Sequence, residues 1–503
     1  MRAAHVVEAV RGAEAVLMAR LPEGGLMARA AAGLAARCAG LLPRVYGSRV
    51  VLLVGGGDNG GDALYAGARL ARRGARVHAL LAGAKAHVGG LATLRAAGGR
   101  VISASDPGGD GLADPEIVGA VIGEADLVVD GLLGIGGRGG LRPAYADLAV
   151  RANDASGTVV AVDLPSGVDA DTGRVDGTAV RADVTVTFGT YKPGLLVDPG
   201  AAYAGVVDLV DIGLDPLLPD PDVVAPQAGD VAGVLAAPGP ESDKYRRGVL
   251  GVVAGGARFA GAAVLAVGGA VRAGAGMVRF AGVERVTAGV RERWPEAVTT
   301  VVEYGDADAV LGAGRVQAWL AGPGMGTDDG AARVLAGVLG TELPVLVDAD
   351  GLTLLAARPE LVVDRAYPTL LTPHAGELSR LLDGVGESAG RAAIEGDRLR
   401  HARLAAERYG CTVLLKGSTT VIAEPDRITR VNPTGTPWLA TAGTGDVLSG
   451  IAGALLSAGL STFDAAVAGA YLHGLAARLA ADGSPISAGD LLDTLHAAFR
   501  TVA

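Results

Sequence analysis

The sequence predicts an α/β protein built as two three-layer α/β/α domains. Three observations carry that prediction. Short, continuous apolar runs rich in Val alternate with Ala/Leu/Arg stretches of helical period. Unbroken apolar runs, rather than in-out alternation, are what a parallel sheet covered on both faces requires. The rhythm breaks once, in a proline-rich stretch, and then restarts. The chain has 503 residues, well beyond one domain at roughly 100–200 residues each.

The elements follow in order. Residues 50–54 form an apolar run, a glycine-rich turn comes next, and 62–73 reads as a helix. Further buried strands are expected at 76–81, 127–130, 159–162 and 184–188. Periodicity is lost from about 215 to 241, where Pro216, Pro219, Pro221, Pro226, Pro238 and Pro240 cluster. The α/β pattern resumes with a strand at 249–253, a glycine-rich turn and a helix at 262–273. Later strands are expected at 318–321, 344–347, 369–371 and 413–415. The division is therefore 1–214 for a first domain, 215–229 for a linker and 230–503 for a second domain.

Composition narrows the function. Half of the residues are hydrophobic and 19% are charged, which excludes a disordered chain. The 79 glycines have no three-residue period, so collagen is excluded. A formal charge of −10 argues against nucleic acid or anionic membrane as the main partner. Cys38 and Cys411 form no CxxC pair and read as small buried hydrophobes. The start of the chain carries Glu8 and Glu14 and does not resemble a signal peptide. The apolar stretch 259–271 is too short to span a bilayer, and 447–463 is diluted by Gly, Ser and Thr. A soluble, cytoplasmic protein is expected.

Three polar strand ends mark the first domain. Gly55, Gly56 and Gly57 run into Asp58, Asn59, Gly60, Gly61 and Asp62 at a helix start, where amides can meet phosphate. Asp130 precedes Gly134, Ile135, Gly136, Gly137, Arg138, Gly139 and Gly140, and Asp163 precedes Ser166 and Gly167. C-terminal strand ends gather along one edge of a parallel sheet, where ligands bind. Asn59, Asp130 and Ser166 offer hard oxygens, suited to an alkali or alkaline-earth cation rather than zinc.

In the second domain, Gly443, Thr444, Gly445 and Asp446 open an Ala/Leu helix. Such amides, with the helix dipole, stabilise a phosphoryl group in transfer, and Asp446 can accept a proton from an attacking hydroxyl. The dipole is expected to keep Asp446 ionised, so that it acts by position rather than by a raised pKa. Lys416, Gly417, Ser418, Thr419 and Thr420 follow a strand and suit a nucleotide phosphate. His374 and Glu377 also end a strand; each is a candidate ligand contact or a structural group. Lys244, Arg246 and Arg247 are expected to meet substrate phosphates.

These three motifs, with Lys192-Pro193-Gly194 as a fourth, resemble the NAD(P)H-hydrate epimerase domain, which is Rossmann-like. The resemblance implies that Asn59, Asp130 and Ser166 bind potassium, and that 58–62 and 134–140 cradle hydrated dinucleotide. It places Asp163 at the reacting ring, where Asp163 and Lys192 can supply acid/base function. Asp58 stands where that family commonly has Asn, and a carboxylate beside a diphosphate is repulsive. The second set resembles ADP-dependent NAD(P)H-hydrate dehydratases of ribokinase-like fold. That resemblance implies contacts from Ala262, Gly326, His374 and Asp446 to the substrate. It further implies that Lys416–Thr420 and Gly445 hold ADP, with magnesium bridging its phosphates.

Together the two resemblances imply one chain that interconverts the C6 epimers of NADHX and NADPHX and dehydrates the S form. ADP would be the co-substrate, giving AMP and phosphate. A homo-oligomer is expected. The alternative is a ribokinase-type kinase of a vitamin alcohol with a non-catalytic scaffold domain in front.

Overall fold

A computed structural model describes residues 1–105, 111–235 and 237–502. The chain divides into two compact units, one of residues 3–223 and one of residues 1–2 with 224–503. After the short strand β1 (Arg2–Ala4), the first unit carries β2 (Arg49–Val54), β3 (Arg76–Leu81), β4 (Arg100–Ser103), β5 (Leu127–Gly131), β6 (Thr158–Val162), β7 (Val184–Phe188) and β8 (Val206–Val210). They form a parallel sheet in the order β4-β3-β2-β5-β6-β7-β8. The order reverses between β2 and β5, the switch point that opens a crevice beyond the strand ends.

Strand side chains alternate between two cores. Val50, Leu52 and Val54 join one hydrophobic cluster with the helices Gly25–Leu41 and Asp58–Arg72. Val51 and Leu53 join another with the helices Pro115–Gly123 and Pro143–Asn153. A sheet buried on both faces gives the continuous apolar runs of the sequence.

The second unit follows β9 (Val223–Ala225) with β10 (Val249–Val253), β11 (Met277–Gly282), β12 (Val298–Val301), β13 (Ala318–Ala321), β14 (Val345–Val347), β15 (Thr369–Leu371), β16 (Thr412–Leu415), β17 (Thr420–Ala423) and β18 (Thr429–Asn432). The order β12-β11-β10-β13-β14-β15-β16 is parallel, β17 and β18 continue it as antiparallel strands, and β9 follows β18. The switch point lies between β10 and β13. Leu250, Val252, Leu320, Leu346 and Leu414 face a core shared with the helices Ala260–Arg272, Thr444–Ser457 and Thr462–Ala481. Their neighbours Val249, Trp319, Val347, Leu371 and Leu415 are also buried, so the opposite face is covered too.

Small residues set the spacing where two helices cross. A Cβ on Gly450 would lie 2.1 Å from the Ala266 carbonyl oxygen, and one on Gly269 would lie 2.4 Å from that of Val447. Such contact positions the start of Thr444–Ser457, where phosphate chemistry is expected. No described helix is long and apolar enough to cross a membrane.

Three sequence expectations are revised. The helix after β2 begins at Asp58, not 62, and the one after β10 begins at Ala260, not 262. Gly60 can start the first helix early because its missing Cβ, which would sit 2.2 Å from the Gly55 oxygen, lets the turn close tightly. The stretch 215–229 is not bare coil: it holds a 3₁₀ turn Asp215–Leu217, β9 and the start of the helix Ala228–Ala232. The proline density hid these elements because each is only three to five residues long.

Candidate functional site

In the first unit, β2 ends at the Gly55 turn, β5 at Asp130 and β6 at Asp163, all on the carboxyl edge beside the switch point. Asp130 is fully buried. Its Oδ1 accepts from Ser166 Oγ at 2.6 Å and Leu132 N at 3.2 Å; its Oδ2 accepts from Ser166 N at 2.8 Å. Burial raises its pKa to about 6, opposed by those hydrogen bonds. Asn59 Nδ2 donates to Leu133 O at 3.0 Å and Val162 O at 2.6 Å. A Cβ on Gly134 would lie 2.3 Å from Asn59 Oδ1, so only glycine lets that loop reach the amide. One carboxylate, a hydroxyl, an amide oxygen and two carbonyl oxygens thus gather at one place. This donor set fits a hard monovalent cation.

Asp163 occupies the left-handed region at φ 65°, a strain of about 1–3 kcal/mol that is typical of functional positions. Its Oδ1 accepts from Lys192 Nζ at 2.5 Å, Thr187 Oγ1 at 3.0 Å and Phe188 N at 3.2 Å. Lys192 also donates to Thr187 Oγ1 and to Phe188 O, and only 1% of its side chain is exposed. Lys192 is therefore a buried partner of Asp163 and not a solvated surface lysine. All three donors reach Oδ1, which leaves Oδ2 for the site.

Glu14, on the helix Val7–Met18, was not anticipated. Burial raises its pKa, opposed by Lys192 and reinforced by Asp163 and Asp58. Nothing in its local sequence announces this, because its neighbours arrive by tertiary packing. Asp62 shares the same electrostatic neighbourhood. Ile135, Gly136, Gly137 and Arg138 line a cavity of about 100 Å³ with Val7, Arg11 and Asp171. Gly137 and Gly139 also line a neighbouring cleft with Gly167 and Asp176, and a Cβ on Gly140 would meet the Asp176 oxygen at 2.7 Å.

In the second unit, five adjacent parallel strands deliver polar turns to one edge: β10, β13, β14, β15 and β16. Gly324 follows β13 and packs against Phe259 and Ala262, at the start of the helix after β10. Gly326 N donates to Asp350 Oδ2 at 3.0 Å. After β14 comes Asp348, fully buried, whose Oδ1 accepts from Lys416 Nζ at 2.7 Å and whose Oδ2 accepts from Ser449 Oγ at 2.7 Å. Lys416 also lies 3.6 Å from Glu377 Oε2. Burial pulls the pKa of Lys416 down, but Asp348 and Glu377 outweigh it, and the net direction is up.

His374 caps the helix Ala375–Gly384. Its Nδ1 accepts from Gly376 N at 3.0 Å and Glu377 N at 3.1 Å, while Glu377 Oε2 accepts from His374 N at 2.8 Å. Each therefore closes the cap, which is the structural reading of these residues, and each also lies in the electrostatic neighbourhood of Lys416. Burial lowers the pKa of His374, partly offset by Glu377. With Nδ1 accepting two backbone hydrogens, the ring proton belongs on Nε2.

The helix Thr444–Ser457 begins at Gly443, which is left-handed at φ 88°. Thr444 Oγ1 donates to Leu439 O at 2.8 Å and Thr441 O at 3.0 Å, and buried His473 Nε2 meets Thr444 O at 2.9 Å. Burial lowers the His473 pKa to about 4, so it is neutral and acts as a fixed donor. These bonds aim the first amides of the helix. A Cβ on Gly445 would lie 3.5 Å from Lys416 Nζ and 4.0 Å from Asp348 Oδ2, so the loop and the buried pair meet there.

Asp446 departs from the sequence expectation. Burial, then the Asp348 charge, raise its pKa to about 7, against the pull of Lys416. Desolvation and a like charge outweigh the helix dipole. Of the nucleotide stretch, Gly417 packs against Arg398, and buried Thr420 opens β17 with its hydroxyl donating to Gly417 O at 3.2 Å. The basic segment 244–248 is corrected. It enters β10 at its amino end, where Arg247 donates to Gly274 O at 2.8 Å and Gly248 abuts Ser457, the last residue of the helix that Thr444 opens. It lies a helix length, about 20 Å, from the Thr444 amides.

Aimed amides, an acid and a lysine at one sheet edge define an enzyme of nucleotide-dependent phosphoryl chemistry, preceded by a second doubly wound unit with its own acid/base pair. Comparison with known proteins makes this specific. Residues 250–497 match the family model described as NAD(P)H-hydrate dehydratase, and residues 23–194 match that of the YjeF-related protein N-terminus. The chain is 48% identical to the bifunctional NAD(P)H-hydrate repair enzyme of Mycobacterium leprae, over 96% of each chain. It is 47% identical to that of Mycobacterium tuberculosis, over 93% of this chain and 91% of the other. The ADP/ATP-dependent NAD(P)H-hydrate dehydratase of Bacillus subtilis, crystallised with ATP and magnesium, aligns at TM-score 0.50 and 29% identity over 55% of this chain and 98% of its own.

The chain belongs to the bifunctional NAD(P)H-hydrate repair enzymes and joins an epimerase to a dehydratase. The kinase-with-scaffold alternative is not favoured, because the similarity runs through both units.

Proposed function

We propose that the two activities divide as residues 1–214 and 230–503, joined by 215–229, and that each uses the strand-end cluster of its own unit. In the first, Asp58–Asp62 and Gly134–Gly140 bind hydrated NADH or NADPH, and Asp163 with Lys192 moves protons at C6. Asn59, Asp130 and Ser166 would hold potassium, which supplies a fixed positive charge beside the loops that carry the diphosphate. In the second, Ala262, Gly326, His374 and Asp446 contact the S hydrate, and Lys416–Thr420 with Gly445 holds ADP. Magnesium would ride on the nucleotide phosphates, its usual mode; the Bacillus subtilis relative crystallised with ATP and magnesium supports this.

The observation that carries the reading is the place of Asp446, in the first turn of the helix behind the Gly443–Gly445 amides and beside Lys416, where burial raises its pKa to about 7. From there it takes a proton from the C6 hydroxyl as its oxygen attacks the terminal phosphorus of ADP. The amides and Lys416 stabilise charge on the phosphoryl group. The C6–O bond then breaks with its electron pair leaving on phosphate, a proton is lost from C5 to solvent, and the C5–H pair closes the C5–C6 double bond of NADH or NADPH. AMP and phosphate are released. The reading includes a cytoplasmic location, supported by the two free buried cysteines, and a homo-oligomer.

The test is recovery of dihydronicotinamide absorbance from pure epimers. The S hydrate with ADP recovers at once, and the R hydrate recovers only as fast as it is epimerised. Accumulation of a stable phosphorylated product without recovery sinks the reading.

A further inference from the structure

Asp62 stands out among the buried acids. It sits in the first turns of the helix Asp58–Arg72, it is 7% exposed, and its Oδ1 is buried without any hydrogen-bond partner. An ionised carboxylate cannot stay in such a place at neutral pH unless a cation or donors compensate it. The charged groups that bear on it are Asp163, Asp58 and Glu14, all acids, and the cation beside Asp163, Lys192, is committed to that carboxylate at 2.5 Å. Burial, reinforced by those three carboxylates, raises its pKa well above the usual range. A protonated carboxyl is a donor that lacks an acceptor, and the substrate hydroxyl provides one.

We propose that Asp62 is the acid that donates a proton to the C6 hydroxyl of the hydrate during epimerisation. The inference rests on the epimerase reading above and adds a residue to its chemistry. In the forward step the proton passes from the Asp62 carboxyl to the hydroxyl oxygen, and the C6–O bond breaks with its electron pair leaving as water. The ring nitrogen lone pair closes the N1–C6 double bond. Water then adds to the other face of C6, the N1–C6 π pair returns to nitrogen, and the proton released goes to the Asp163–Lys192 pair. Exchange of that proton back to Asp62 resets the site. No electron is gained or lost overall. Two acids of opposite readiness, one carrying a proton and one paired with an ammonium, suit a reaction that must run in both directions.

The experiment follows interconversion of a pure epimer by the full-length Asp62→Asn protein. Asn matches the carboxyl in shape but cannot donate an acidic proton. The expected result is a fall in kcat of about 10²-fold or more with KM little changed. The wild-type rate should fall as pH rises through the Asp62 ionisation, on the alkaline side of the ordinary carboxylate range, and the residual rate of the variant should lack that fall. A kcat within threefold of wild type, a change confined to KM, or a retained alkaline fall overturns the proposal. If the variant lacks the wild-type unfolding transition, the wild-type profile decides: absence of the alkaline fall overturns it. Failure of wild-type protein to interconvert epimers removes the epimerase reading itself and this proposal with it, whereas an active wild type with an equally active variant removes the proposal alone.

Discussion

Each unit holds a lysine against a buried aspartate, and the two pairs are wired differently. In the first, Lys192 grips Asp163, the acid expected at the reacting ring. In the second, Lys416 grips Asp348, while Asp446, the acid proposed to react, stands beside them with its pKa raised by burial to about 7. The difference shows how placement of one ammonium decides which carboxyl carries a proton at neutral pH. Pairing stabilises the charged form of its partner and leaves the next acid to face burial and a like charge.

The largest effect separating the two units should come from Asp446→Asn. Dehydration of the S hydrate should fall by about 10³-fold or more, with ADP binding by calorimetry and epimer interconversion retained. Loss of ADP binding would mean that Asp446 holds nucleotide and is not the base. Lys192→Met should do the reverse, with epimerisation reduced by roughly 10²-fold and dehydration of pure S hydrate kept. Because Lys192 and Asp163 are almost fully buried, leaving the carboxylate alone should also cost about 3–5 kcal/mol in denaturant unfolding of that unit. A smaller effect is expected of Gly134→Ala, whose Cβ would collide with Asn59 Oδ1. Displacing that amide should lower epimerisation by about tenfold and blunt its response to potassium; an unchanged potassium response would detach Asn59 from the cation.

Much of this was legible in the sequence where local rules suffice. Apolar runs located the central strands, the polar residues after them pointed to Asp130, Asp163, His374 and Lys416, and the glycine-rich helix start pointed to Asp446. Strands with half-exposed patterns, such as β4 and β12, were missed because their runs are mixed. Asp348 was missable but not hidden: Asp348-Ala349-Asp350-Gly351 directly follows a buried run, the same signal that flagged Asp130. Glu14 could not be found, because its meaning comes from elements far along the chain. The protonation of Asp446 was misjudged for the same reason, since helix position is local but burial beside Asp348 is not.

The most direct measurement is kcat/KM for pure S hydrate and ADP against pH, in wild-type protein and in Asp348→Asn. Asp446 must lose its proton to act, so the wild-type value should fall about tenfold per pH unit below about 7. Removing the Asp348 charge lowers the Asp446 pKa and should move that fall about one unit toward acid. A fall that stays in place in the variant, or a wild-type profile flat through neutrality, would contradict an unpaired Asp446 as the group that starts the reaction.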